Sequence, residues 1–161
     1  MTIIEDRLRE MGLELPAPMQ LPAEVVLPFP WVNVRGDRAF VSGHGAQNSD
    51  GSLAAPFGRV GEQVTVEQGK ELARKTALSI LASLKRELGD LDRITAWCRV
   101  FGMVNSAPDF AQQPAVINGF SELILELFGP EVGCHARSAV GLAALPFNMA
   151  VEAEAEVLIR D

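Results

Sequence analysis

The segment that most constrains this fold is Val151-Glu152-Ala153-Glu154-Ala155-Glu156-Val157, where a glutamate stands at every second position. Side chains alternate between the two faces of a strand, so extended backbone gathers three carboxylates on one face and the valines and alanines on the other. The run 150–158 therefore reads as a strand in a sheet with one buried face and one wet face. Ala136 to Leu142 reads as the strand before it, joined through Leu145-Pro146-Phe147-Asn148.

The buried face needs a cover, and the sequence supplies two helices. Thr65 is a good N-cap with Gln68 three residues on, the spacing of a capping box. From there Leu72, Ala73, Ala77, Ile80, Leu81, Leu84 and Leu88 recur at three and four, the period of an amphipathic helix. A second helix is expected over roughly 110–128, ended by Gly129-Pro130. Val32-Asn33-Val34 and 38–43 read as strands around a turn at Gly36-Asp37, and 94–103 as a buried strand. Residues 45–63 are loop-like and enclose at most one short strand. Residues 3–11 form a short amphipathic helix stopped at Gly12; Pro16, Pro18, Pro22, Pro28 and Pro30 then forbid regular helix and impose an extended arm. The organisation is thus an N-terminal helix and arm over 1–30 and one α+β layered domain over 31–161, mostly antiparallel, with helices on one face. Two helices cover one side of such a sheet, and oligomerisation through the other side is the simplest way to seal it.

Lysine and arginine total 14 against 21 acids, a formal charge of −7, with no basic run, which disfavours a nucleic-acid partner. No stretch approaches the ~20 apolar residues of a membrane span, and acids at Glu5 and Asp6 speak against a signal peptide, so a cytoplasmic location is expected. Cys98 and Cys134 make neither a disulfide framework nor a metal-ligand spacing, and Cys98 reads as a buried structural thiol. Two histidines exclude a histidine-rich metal site, and Walker, GxGxxG, HExxH and GxSxG signatures are absent.

One constellation carries chemistry. Alternation places His135, Arg137, Ala139 and Gly141 on one face, so Arg137 stands beside small residues with room for a small ligand. Its planar, permanently charged fork suits a carboxylate; an interface or surface salt bridge is the competing reading. Glu152, nearest the Pro146 turn, can approach that site and hold a water or relay a proton, whereas Glu154 and Glu156 read as a solvated face. Ser42-Gly43-His44-Gly45 ends an apolar strand; its hydroxyl and amides can anchor a ligand oxygen or make an ordinary turn, and His44 can titrate near neutrality.

Val41-Ser42-Gly43, the 105–110 loop, and above all Ala136-Arg137-Ser138-Ala139-Val140 with Leu145-Pro146 and Val151-Glu152 resemble the YjgF/RidA family of reactive-intermediate deaminases, often called L-PSP endoribonuclease-like. The form His135-Ala136-Arg137-Ser138-Ala139-Val140-Gly141 is similar to a branch with an N-terminal extension. The resemblance implies a chorismate-mutase-like two-layer sandwich, a homotrimeric barrel and ligand clefts between subunits. It implies that Arg137 grips a substrate carboxylate and Glu152 attends the attacking water. It implies further that Ser42 and Gly43 line the cleft, and His44, Phe29, Ala139 and Asn105 are expected to join them in binding the substrate. The implied reaction is hydrolysis of a 2-imino acid to a 2-oxo acid and ammonia, with no metal and no cofactor. A non-catalytic trimer that binds a small acid is the alternative, and an endoribonuclease follows only from the family's label. Ala139 stands where the family frequently has cysteine, and the chain contains no tyrosine; Phe29 or Trp31 occupies the region of the family's aromatic hydroxyl.

Overall fold

The glutamate-alternating segment becomes the central strand of the molecule. In the computed structural model, which describes residues 2–161, five strands form one sheet: β1 (Val32–Arg35), β2 (Arg38–Gly45), β3 (Ile94–Asn105), β4 (Ala136–Leu142) and β5 (Val151–Ile159). Their spatial order is β1-β2-β5-β3-β4. β5 pairs antiparallel with β2 and β3, and β1 antiparallel with β2, while β3 and β4 run parallel. Parallel neighbours need a long crossover, and helices supply it. α2 (Val66–Leu88) carries the chain from β2 to β3, and α3 (Gln113–Val132) from β3 to β4. Both pack on the same face, which makes the α+β two-layer sandwich expected from the element order. α1 (Ile3–Glu10) joins them at the end of α3.

The core lies between these layers. On β5, Val151, Ala153, Ala155, Val157 and Ile159 are buried beneath the helices, while Glu152, Glu154 and Glu156 point to the opposite, open face. Every apolar position of the α2 periodicity, from Leu72 to Leu88, is buried. Both halves of the capping box are made: Thr65 accepts from the Gln68 amide and Gln68 accepts from the Thr65 amide. α3 stops being helical at Gly129, whose φ of 77° lies in the left-handed region that glycine enters freely, and a short turn completes its last residues.

Several boundaries differ from expectation for local reasons. α3 starts at Gln113 rather than near 110, because Phe110 closes a turn onto Ala107 and Pro114, with no amide hydrogen to lose, sits in the first turn. The 45–63 loop holds no strand, only isolated bridges such as Gln47 with Leu53 and Val60 with Ser106. Cys98 is half-buried rather than buried, since the ladder to β5 shifts register between Trp97 and Arg99.

The N-terminal segment is docked through α1 and the first part of the arm. Ile4 and Leu8 enter the same core as the sheet and helices. Asp92 caps α1 from 88 residues away, accepting from the Ile3 amide at 2.6 Å and the Ile4 amide at 2.9 Å. α1 ends in the bond pattern of a Schellman motif, Gly12 to Arg9 and Leu13 to Leu8. The arm then runs over the body, held by Ala17 to Ser49, Gln20 to Gly51 and the Arg86 guanidinium on the Pro16 carbonyl. No helix among the described residues is long and apolar enough to cross a membrane.

Candidate functional site

Arg137 lies on the edge strand β4, directly opposite Val100 of β3. Val100 is buried under the helices, so Arg137 points to the helix side, and α3 receives it. Its Nη1 donates to Asn118 Oδ1 at 2.9 Å and to Ser121 Oγ at 3.1 Å, and Nη2 to the Pro114 carbonyl at 3.5 Å. Residues 114, 118, 121 and 125 recur at three and four, so they form one stripe on the β4 side of α3. No carboxylate among the described residues lies within ion-pair distance of Arg137. Within one chain, therefore, no salt bridge engages this arginine. Nε carries no partner among the described residues, and a cleft of about 200 Å³ opens beside the arginine between Ser121, Leu125, Cys134 and His135.

The space beside Arg137 is not where alternation put it. Ala139 is half-buried against the core, and the Cβ position that Gly141 lacks is occupied by Gln113 and Ser106 side chains at 2.7 and 2.8 Å. The open side lies toward His135 instead. Asn118 and Ser121 as partners escaped the reading of β4, though two uncharged polar residues three apart on a largely apolar helix were the available signal.

Glu152 occupies the other side of the sheet. It pairs with Met103, on the face away from the helices, and its carboxylate oxygen fills the place of a Gly43 side chain, 2.2 Å from where a Cβ would stand. Any residue larger than glycine at 43 would expel it. Burial pushes the Glu152 carboxyl above its usual range and the nearby Glu154 charge adds to that, which favours a group that holds and releases protons. Gly43 adjoins Ser42, whose hydroxyl donates to the Pro30 carbonyl at 2.8 Å; the arm thus brings Phe29, 45% exposed and edge-on to Trp31, alongside this end of β2. Gly43 and Glu152 meet on the open face, with Ser42 next in the strand holding the arm that carries Phe29; Arg137 and Ala139 stand at the other edge of the sheet, on the helix side. Within a single chain the sheet separates them.

His44 belongs to neither. A register shift after Val41 turns it inward, and at 2% exposure it lies under Trp31 with its ring 4.9 Å from the indole. Its Nδ1 is 2.6 Å from the Ser42 carbonyl, which can only accept, so Nδ1 carries the proton and Nε2 accepts from the Ser83 hydroxyl at 2.8 Å. Burial lowers its pKa to about 4, so it does not titrate near neutrality. Its role is to hold the turn at the strand end. Asn105 is 1% exposed; its Nδ2 donates to the Met149 carbonyl at 3.1 Å and reaches Asn148, bracing a turn in which Phe147 and Asn148 both adopt positive φ. Asn105 Oδ1 is buried without a partner, an acceptor still open to a donor. Asn148 also accepts from the Gly58 amide.

Comparison with known proteins places this architecture. The family described as "YjgF/chorismate_mutase-like, putative endoribonuclease" matches residues 5–153. Protein TCP17 of Trypanosoma cruzi is 41% identical over 150 residues, 93% of this chain and 90% of that protein. The crystal structure of Atu1372 from Agrobacterium tumefaciens, a protein of unknown function, superimposes with a TM-score of 0.86 at 39% identity, covering 98% of this chain and 92% of that one. TdcF of E. coli, crystallised with bound serine, shares the fold at 17% identity and a TM-score of 0.56, covering 92% and 96% of the two chains.

Proposed function

The chain belongs to the YjgF/chorismate-mutase-like family, and we propose that it hydrolyses small 2-imino or enamine carboxylates to 2-oxo acids and ammonia, in a cleft shared by two protomers. The observation that carries this reading is the state of Arg137. Its partners are an amide oxygen, a hydroxyl and a carbonyl, none of them charged, so its positive charge stands uncompensated at a cleft. A carboxylate is the ligand such a fork receives best.

Glu152 supplies the other half. In the reaction, a water oxygen adds to the imine carbon while Glu152 accepts a proton from that water. The proton passes to the imine nitrogen; the carbinolamine hydroxyl then gives its own proton through Glu152 to that nitrogen, so the C–N bond breaks, ammonia leaves and the C=O bond forms. A carboxylate whose proton affinity is raised by burial is suited to both transfers. An imine is already electrophilic, so positioning water and substrate supplies much of the acceleration. Because Arg137 and Glu152 lie on opposite faces of one sheet, they can meet only across an interface. This favours the homotrimer, with Arg137 at one subunit's edge facing the neighbour's open sheet face. The Ser42–Gly43 strand end is proposed to line the same cleft.

The test is release of ammonia from a 2-imino acid generated in the assay by an amino-acid oxidase. Wild-type protein should accelerate it, and Arg137→Ala should lower the rate at least about 100-fold, the scale of losing a substrate-orienting contact. Unchanged release by the variant would sink the proposal. A non-catalytic small-acid-binding trimer is favoured by one observation: the Ser42 hydroxyl is committed to Pro30 and no tyrosine exists to polarise the substrate. That reading predicts 2-oxo-acid binding with imine turnover at the buffer rate. Endoribonuclease chemistry draws no support from the histidines, since both have their ring nitrogens engaged within the chain.

A further inference from the structure

The geometry points to a clamp of three uncharged side chains, Asn118, Ser121 and His135, that fixes Arg137 as an anion-receiving fork without cancelling its charge. The inference rests on Arg137 being the carboxylate site and assigns positioning residues to it.

Each link of the clamp follows from the one before. His135 Nδ1 lies 2.7 Å from the Gly133 carbonyl, which can only accept, so Nδ1 bears the hydrogen. Burial and the neighbouring Arg137 charge keep the ring neutral, leaving Nε2 bare. Nε2 is 2.9 Å from Ser121 Oγ and so receives the hydroxyl proton. The Ser121 oxygen then offers its lone pairs to Arg137 Nη1 at 3.1 Å, and Asn118 Oδ1 takes the second Nη1 hydrogen at 2.9 Å. Nη1 is thereby saturated and one Nη2 hydrogen points toward the Pro114 carbonyl at 3.5 Å, so Nε and the other Nη2 hydrogen form the edge left for a ligand. A carboxylate meets that edge side-on, with two parallel bonds.

The same relay occurs a second time, and the contrast is informative. His44 Nδ1 donates to Ser42, the Ser83 hydroxyl donates to His44 Nε2, and Arg86 Nη2 donates to Ser83 Oγ at 3.1 Å. There Arg86 Nη1 is also engaged, by the Pro16 carbonyl at 3.2 Å, so the arm closes that cluster. Around Arg137 the only further partner among the described residues is the Pro114 carbonyl, at the long distance of 3.5 Å from Nη2, and Nε has none. One arginine is structural and the other is left open.

The clamp is tested on the full-length protein by titration calorimetry with pyruvate and by NMR of the Arg137 guanidinium without ligand. Wild-type protein should bind pyruvate and show hindered rotation of the Arg137 Nη groups. Ser121→Ala and His135→Phe should weaken binding about tenfold and free that rotation. His135→Gln, which sets an amide oxygen where Nε2 stood, should stay within about twofold of wild type. Asn118→Asp is the sharpest variant: it keeps the shape and the hydrogen bond but pairs Arg137 with a carboxylate, and should abolish pyruvate binding while rotation stays hindered. Pyruvate binding and guanidinium rotation both unchanged in Ser121→Ala and His135→Phe, or full affinity in Asn118→Asp, would overturn the clamp. Pyruvate binding that survives in Arg137→Ala defeats the carboxylate reading instead. If wild-type protein binds no pyruvate, hindered rotation lost in Ser121→Ala still sustains the clamp, and rotation that is free in wild type overturns it.

Discussion

Two histidines of the same chemical type end in similar tautomers, but their burial gives them different consequences. His44 is nearly sealed, and its pKa falls from 6.5 to about 4 because the interior penalises the imidazolium. A lowered histidine pKa means that the unfolded chain binds the proton first. The neutral-state stability is therefore complete above pH 6.5 and is lost as pH falls from there toward 4. Over that window the loss attributable to His44 approaches about 3 kcal/mol, at 1.36 kcal/mol per pH unit. Urea midpoints measured between pH 7.5 and 4.5 should fall steeply in wild type and less steeply in His44→Gln; equal slopes would refute the assignment. Glu152 behaves in the opposite sense. Its raised pKa makes the ionised carboxylate a cost to the fold, so the advantage of the protonated form is lost as pH rises through that pKa. Glu152→Gln should accordingly raise the Tm at pH 7 and give no gain below pH 4.5, while removing turnover. A stability gain together with lost activity is the signature of a carboxylate kept for function.

At the scale of elements, stability is concentrated where local and tertiary signals agree. α2 combines a complete capping box with an unbroken buried stripe, and Thr65→Ala should cost about 1 kcal/mol, read as a Tm lower by ~2–4 °C. α1 depends on its neighbours instead, since eight residues do not hold a helix in water. Asp92 caps it, and Lys85 pairs with Glu5 while Arg7 reaches the Leu127 carbonyl. Asp92→Ala should leave the body intact but raise the hydrogen-exchange rate of the α1 amides by at least about tenfold. Protection equal to wild type would show that Ile4 and Leu8 anchor the helix without the cap.

For the whole molecule, the informative fact is that the sheet keeps Arg137 and Glu152 apart. If the site is shared between protomers, inactive Arg137→Ala and Glu152→Gln chains should complement each other when co-refolded. In a random mixture a cleft receives an intact Arg137 from one subunit and an intact Glu152 from its neighbour about one time in four, so activity should return to about a quarter of wild type. Zero recovery in verified mixed oligomers would overturn the shared cleft. The open sheet face, with Phe40 exposed and Phe101 and Met103 half-buried beside the glutamates, is the surface that such an assembly would cover.

By itself the sequence determined what depends on period and on side-chain type. The alternation in 151–157 and the three-four spacing in 65–88 dictate strand and helix wherever they occur, because backbone geometry imposes one period on each. Arg137, Glu152, Ser42 and Gly43 were legible as candidates through charge, spacing and family resemblance. Spacing along β4 could not reveal that Ser106 and Gln113 fill the room beside Gly141, nor that the register shift in β2 buries His44, because both come from segments distant in the chain. Nor could it reveal that Asn118 and Ser121 hold the arginine, which needs α3 laid along the sheet edge. Alternation assigns residues to the two faces of their own strand. Which side chains cross from another element to meet them is decided only when the layers pack.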